Sequence, residues 1–240
     1  MKMTEEQQQA VDFIFNRDAS LLVAPTGEGK TVIALTAINE LIIDGAVSKV
    51  IVACPAKVLS EVVWPNEAAK WPHLRALTIL QLEGDAKARI KQLLSCPADI
   101  VMVSLNNLEW LLNQEHESDG IIIDEISKAA GKHTQGLRRK STGDQLKWRV
   151  GMSATPVSQS FEKLYSICRI LDKGKALGTN KNNYLQHYFI SDYHGHQWTL
   201  MDGADKLIMT KVEHLICAIE DKKASKLPPL IEVQQRFDMP

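Results

Sequence analysis

The sequence predicts an α/β fold, a mostly parallel sheet with helices on both faces, and three observations predict it. Short apolar, β-branched runs at residues 20–23, 49–53, 99–103 and 120–123 have the length and composition of buried strands. Segments of helical periodicity separate these runs, and that alternation means parallel strands joined by crossover helices. A glycine-bearing loop, residues 24–31, joins the first run to the first long helical pattern, which begins at Val32.

Composition sets outer bounds. The 240 residues suffice for one large α/β domain or two small ones, with a proper core. The chain is 45% hydrophobic and 24% charged, with a formal net charge of −1. That balance does not point to nucleic-acid binding, but it leaves room for a local basic patch. Cys54, Cys96, Cys168 and Cys217 are widely spaced and form no C-x-x-C pair. They read as small buried hydrophobes in a reducing compartment, not as a disulfide framework or a zinc site. The N-terminal residues lack the apolar stretch of a signal peptide, and no run approaches the roughly 18 apolar residues of a membrane span. The expectation is a cytosolic-type protein without a membrane partner.

Taken in order, residues 4–7 begin a helix, with Thr4 as cap, acidic residues in the first turn, and Ala10, Val11, Ile14 and Phe15 on one face. Next, Ala24-Pro25-Thr26-Gly27-Glu28-Gly29-Lys30-Thr31 has the strand, loop, Lys-Thr, helix arrangement of a phosphate-binding P-loop. Gly27 and Gly29 permit backbone conformations that turn successive N–H groups onto phosphate oxygens. Lys30 supplies charge for the β- and γ-phosphates, the Thr31 hydroxyl can complete the coordination of Mg²⁺, and the following helix presents its N-terminus to the same anion. Ala24 departs from the general pattern, which has glycine there. After a helix to about Ile43 and a turn at 44–46, the strand at 49–53 leads to Cys54-Pro55-Ala56-Lys57-Val58-Leu59 at the end where ligands approach a parallel sheet. A helix containing Val62, Val63 and Trp64, a strand over 77–80, an amphipathic helix over 84–94 and the strand ending at Ser104 complete the first half.

Residues 120–125 are the second anchor: a buried apolar run ending in Asp124-Glu125, a Walker B pair. Alternation along a strand predicts that the two acids point to opposite faces. Asp124 would hold Mg²⁺, and Glu125 would polarise the attacking water. Trp148 to Pro156 gives a further strand and turn, where the Ser153 and Thr155 hydroxyls could bond the two acids and sense the γ-phosphate. Between them, Lys128, Lys132, Arg138, Arg139, Lys140, Lys147 and Arg149 are opposed only by Asp144. This segment reads as a flexible loop able to follow a phosphate backbone, or as a solvated charged loop. A helix over 161–171 packs beneath these motifs, and another is expected over 205–219. His187, His194 and His196 lack acidic or cysteine partners at metal-ligand spacing.

Ala24 to Thr31, Asp124-Glu125-Ile126-Ser127 and Ser153-Ala154-Thr155-Pro156, in this order, resemble the first RecA-like domain of superfamily 2 helicases and translocases, most of all the Swi/Snf-type and the compact helicase-like proteins of tailed phages. The family's P-loops carry alanine where Ala24 stands. The resemblance implies a RecA-like domain over 1–225, with 226–240 starting a linker towards a second RecA-like domain that these residues do not contain. It implies ATP and Mg²⁺, with Gln7, aligned on a Q-x-x-A-V pattern, reading adenine; the other reading of Gln7 is a solvated helix face. It implies a nucleic-acid track, favouring duplex DNA, with Lys57, Ser104 and Asn106 in track-facing motifs beside the basic Lys128, Arg138, Arg139 and Lys140. Ser127 replaces the histidine common in relatives, which weakens a coupling role there. The expected function is the ATP-binding motor half of a DNA-dependent helicase or translocase, located in the host cytoplasm if phage-encoded and weakly active alone. The alternatives are a stand-alone ATP-binding switch or scaffold, and another P-loop class such as a kinase or small GTPase, which lacks support because no N-K-x-D motif is evident.

Overall fold

The computed structural model of the protein describes residues 2–130, 145–155, 160–192 and 197–220. In chain order its strands are β1 (Ala19–Val23), β2 (Val50–Cys54), β3 (Ile79–Gln81), β4 (Ile100–Ser104), β5 (Gly120–Ile123), β6 (Trp148–Ser153), β7 (Phe189–Ser191), β8 (Trp198–Leu200) and β9 (Ile216–Ala218). Seven of them form one sheet in the order β3-β4-β2-β5-β6-β1-β9, every pairing parallel. β7 and β8 make a separate antiparallel pair.

Because side chains alternate along a strand, each strand feeds two cores. Leu22, Val52, Met102, Ile122 and Val150 pack on one face beneath α1 (Glu5–Phe15), α2 (Lys30–Ile43) and Trp64 of α4 (Val63–Lys70), which follows the short α3 (Ala56–Ser60). Leu21, Ile51, Val101, Ile121 and Ile123 pack on the other. That face is covered by α5 (Ala86–Ser95) through Leu93, and by α6 (Leu105–Leu111), α7 (Ile126–Ala129), α8 (Phe161–Leu171), α9 (Lys181–Tyr188) and α10 (Ala204–Val212). α2 is apolar nearly all round, with Val32 to Ile38 buried without a break, as suits a helix enclosed by sheet and neighbouring helices.

Local chemistry starts the helices where expected. Thr4 caps α1 in a full capping box: its hydroxyl accepts from the Gln7 N–H, and the Gln7 side-chain Oε1 accepts from the Thr4 N–H. The far end of α1 is fixed to β6 by the buried Trp148 indole, which donates to the Ile14 carbonyl at 3.1 Å. Gly151 of β6 faces the second core, where an added Cβ would lie 2.6 Å from Ile126 Cδ1. The missing side chain is what lets α7 settle against the sheet.

The structure corrects several expectations. The helix expected over 205–219 ends at Val212; after a short 3₁₀ turn, Ile216–Ala218 pair with β1 as the sheet's last strand. The open edge of β1 decides the outcome for a short apolar run that follows a helix without glycine or proline. Arg149 belongs to the strand expected from Trp148 and not to the basic loop with which it is also counted. It lies in β6, 5% exposed, near the charges of Asp172 and Asp18, which offset the burial of its guanidinium. Cys96 is exposed, whereas Cys54 and Cys168 are buried as expected. Among the described residues no helix is long and apolar enough to cross a membrane. Residues 226–240, along with Lys132, Arg138, Arg139, Lys140, Asp144, His194 and His196, lie outside the described residues.

Candidate nucleotide site and nucleic-acid interface

The P-loop occupies the step from β1 to α2 at the C-terminal edge of the sheet. Ala24 is fully buried, its N–H donates to the Ser153 carbonyl at 3.1 Å, and it is not among the residues with positive φ. An alanine therefore serves there without strain. Gly27 and Gly29 do need to be glycine, with φ of 89° and 85°. Gly29 is the N-cap of α2 and brings no side-chain acceptor, so the first N–H groups of that helix keep their donors directed out of its end. Pro25, Thr26 and Glu28 complete the loop, and Thr31, half-buried, stands in the first turn of α2.

Lys30 donates to two carbonyls of its own loop, Ala24 at 2.6 Å and Pro25 at 3.1 Å. Burial draws its ammonium below the ordinary lysine range, while Asp124, Glu125 and Glu28 act to raise it. One lysine thus shares an electrostatic neighbourhood with both acids of the distant motif. Gln7 bridges two structures: its amide nitrogen donates to the Glu28 carbonyl at 3.0 Å while its oxygen closes the α1 cap. It is consequently no free polar face. One amide hydrogen and one oxygen lone pair are left for a base edge.

Asp124 follows directly on β5. Its N–H donates to the Ala53 carbonyl at 2.8 Å, and its carboxylate accepts from the Glu125 N–H at 3.0 Å. Only 9% of the residue is exposed, and burial first, then the Glu125 charge, push its carboxyl up to about 6. Strand alternation does not extend to the two acids, because β5 ends at Ile123. Glu125 instead takes a left-handed conformation, φ 52° and ψ 49°, as the N-cap of α7. For a residue with a Cβ this costs on the order of 1 kcal/mol, and such strain collects at functional sites. Ser153 and Thr155, expected to bond the acids, bond each other: the hydroxyls are 3.0 Å apart, and the Thr155 N–H donates to the Ser153 hydroxyl at 3.2 Å. They lie between P-loop and acids because β6 lies between β1 and β5.

The track candidates spread along the same sheet edge. Lys57, exposed and 3.7 Å from Glu61, follows β2. Asn106 is exposed after β4, and Ser104 is 7% exposed, its hydroxyl accepting from the Asn107 amide at 2.9 Å. In α7, Ser127 is half-buried and Lys128 exposed, and the Lys128 charge acts to lower the Asp124 carboxyl. His187 packs edge-on against Tyr188. Sequence reasoning missed Gly151 and its contact with Ile126, although a lone glycine inside a strand pattern is a recognised sign of close approach.

Comparison with known proteins follows from this geometry. The DEAD/DEAH box helicase family matches residues 4–164. A curated relative, "Putative protein p41" of Acyrthosiphon pisum secondary endosymbiont phage 1, is 30% identical over 205 residues, covering 80% of this chain and 44% of that protein. The chain therefore spans less than half the length of the curated relative it matches. Among solved structures, the Sulfolobus solfataricus SWI2/SNF2 ATPase core in complex with dsDNA superposes with a TM-score of 0.71 at 19% identity, over 91% of this chain and 44% of that one. The Sulfolobus solfataricus SWI2/SNF2 ATPase core domain in a second structure gives 0.70 at 19% identity, over 95% and 46%. The UvsW helicase from bacteriophage T4 gives 0.53 at 14% identity, over 71% and 58%. At these identities the likeness is one of fold.

Proposed function

The chain belongs to the DEAD/DEAH box helicase family, and on that premise we propose that it is the N-terminal ATP-binding motor half of a superfamily 2 DNA translocase. ATP hydrolysis would be coupled to movement on duplex DNA, with a second RecA-like domain, in the same or another chain, closing on the nucleotide. The observation that carries the reading is the convergence of Lys30, Asp124 and Glu125 at one sheet edge, felt electrostatically across the site. The 44% shares of p41 and of the SWI2/SNF2 core are those expected of one half of a two-part motor, and the dsDNA in complex with the latter favours a duplex track.

Each residue then has a task. The P-loop N–H groups and the α2 N-terminus receive the phosphates, and Lys30 exchanges the Ala24 and Pro25 carbonyls for phosphate oxygens. Gln7 offers its remaining hydrogen and lone pair to adenine. Thr31 and Asp124 would hold Mg²⁺; a carboxylate whose burial penalises its charge gains from a cation there. That ion would neutralise charge developing on the phosphates. Glu125, held in a left-handed backbone conformation as the N-cap of α7, would orient and polarise the attacking water. Ser153 and Thr155 would report phosphate release by exchanging their mutual bond. Lys57, Ser104, Asn106 and Lys128, with the basic Arg138, Arg139 and Lys140, would meet the track; Ser104 acts by holding Asn107 rather than from an exposed position.

A trans-supplied arginine is worth roughly 10³–10⁵ in rate in such enzymes, so the chain alone should hydrolyse slowly. The test is ATP turnover with and without duplex DNA, on wild type, Lys30→Ala and Glu125→Gln. Expected are slow turnover, lost in both variants, and nucleotide binding lost only in Lys30→Ala. Turnover unchanged in Glu125→Gln would refute the hydrolase reading and leave an ATP-binding switch. Absence of both ATP and DNA binding would refute the whole.

A further inference from the structure

Gly151, inside β6, is not among the residues with positive φ, so its backbone would suit any residue. What it supplies is space. A Cβ there would lie 2.6 Å from Ile126 Cδ1, 3.1 Å from Ile126 Cγ2 and 3.2 Å from Leu21 Cδ1. Ile126, fully buried, fills that notch. The strand register adds a second fact: Gly151 is level with Ile123, the last residue of β5. The chain therefore leaves β5 opposite Gly151 and, three residues on, sets the Ile126 side chain back on the same glycine.

Only Asp124 and Glu125 are left to make that reversal. The Asp124 N–H is still tied to the Ala53 carbonyl of β2 at 2.8 Å, so the turn falls on Glu125, with φ 52° and ψ 49°. Helical bonding starts at once beyond it: the Lys128 N–H donates to the Glu125 carbonyl at 2.8 Å and the Ala130 N–H to the Ile126 carbonyl at 2.9 Å. A helix of four residues holds too few such bonds to be stable by itself. A strained residue persists only where its surroundings over-determine it. Next to Glu125, the seating of Ile126 against Gly151 is the tertiary contact that does so.

We infer that Gly151 and Ile126 are a positioning pair for Glu125: their contact fixes the left-handed turn and with it the direction of the Glu125 carboxylate. Its consequence for rate rests on the reading of Glu125 as the acid that polarises water; its consequence for the backbone does not. ATP turnover and binding of a fluorescent ATP analogue are measured on the whole chain as Gly151→Ala, Ile126→Val and the double variant. Gly151→Ala should lower kcat about tenfold or more, with nucleotide affinity within about twofold of wild type. Ile126→Val removes the Cδ1 methyl that the new Cβ would meet, so the double variant should recover to within about threefold of wild type. A double variant as slow as Gly151→Ala, or a Gly151→Ala chain with unchanged kcat, overturns the inference.

A second measurement needs no hydrolysis. Glu125→Gly and Glu125→Gln remove the same charge, but only glycine removes the Cβ from the left-handed position. Glu125→Gly should therefore have the higher urea midpoint of the two, and that difference should shrink at least twofold in the Gly151→Ala background, where the turn is no longer held. Equal differences in both backgrounds overturn the pair whatever the turnover shows. A difference that shrinks, with turnover untouched by Glu125→Gln, upholds the pair and refutes the hydrolase reading instead.

Discussion

Gly29→Ala tests the junction between α1 and the P-loop with a single methyl group. Gly29 holds φ at 85°, and a Cβ there would lie 2.5 Å from the Gln7 amide nitrogen and 3.2 Å from Val32 Cγ1. The first cost is the left-handed backbone, about 1 kcal/mol for a residue with a side chain. The second is displacement of Gln7, which forfeits its bond to the Glu28 carbonyl, about 1 kcal/mol for a part-buried hydrogen bond. Loosening the capping box adds a few tenths, so the total is about 2–3 kcal/mol. Urea unfolding of the nucleotide-free chain reads it as a lowered midpoint at unchanged slope. The Gln7→Ala background separates the two costs. With the obstacle gone, Gly29→Ala should cost only the backbone part, about 1 kcal/mol less than in wild type. A loss under about 0.5 kcal/mol, or strict additivity in the cycle, would show that Gln7 does not brace the loop.

The other predictions concern the acids, the sheet and the track. Asp124 has a folded-state pKa raised from 3.8 to about 6, so the folded chain binds the extra proton and stability falls as pH rises through that window. Asp124→Asn should therefore stabilise the metal-free chain by about 1–3 kcal/mol at pH 8 and by little near pH 4, measured by thermal unfolding in EDTA; a variant less stable at pH 8 would contradict the burial argument. Gly151→Ala pushes a methyl to 2.6 Å from Ile126, and should cost about 1–3 kcal/mol by overpacking and slow ATP turnover more than it weakens ATP binding. Equal losses in the two assays would mean that the Glu125 turn is unaffected. Lys57→Ala, in an exposed position with a weak pair to Glu61, should leave stability within about 0.5 kcal/mol and reduce DNA affinity and its salt dependence. An unchanged salt slope would remove Lys57 from the track.

What could be read in advance divides by the range of the interaction involved. β5 and α2 were legible because a buried parallel strand and an enclosed helix write their burial into consecutive residues, Ile121 to Ile123 and Val32 to Ile38. The Thr4 cap was legible because it acts within one turn. The burial of Arg149 was not: its charge is accommodated by Asp172, which follows α8, and Asp18, which precedes β1, and neither is adjacent in sequence. β9 was not, because its strand state comes from the open edge of β1 nearly two hundred positions earlier. In the site, residue identities were legible and their bonds were not. Glu125 carries no mark of its positive φ, and Ser153 and Thr155 carry none of their mutual bond.

The strand order explains why such bonds decide the chemistry. β6 is formed after β5 but inserts between β5 and β1, with Ile123 level with Gly151 and Val23 level with Ser153. The separation of P-loop and acids is thus set by one intervening strand, whose end carries the Ser153 and Thr155 hydroxyls. On the other side, the Asp124 N–H is held by the Ala53 carbonyl of β2, the strand that leads to Lys57. Asp124 therefore sits at a junction: one neighbouring strand leads to the Ser153 and Thr155 hydroxyls, and the other to the track candidates. Its own backbone is clamped while that of Glu125 is strained into the left-handed region.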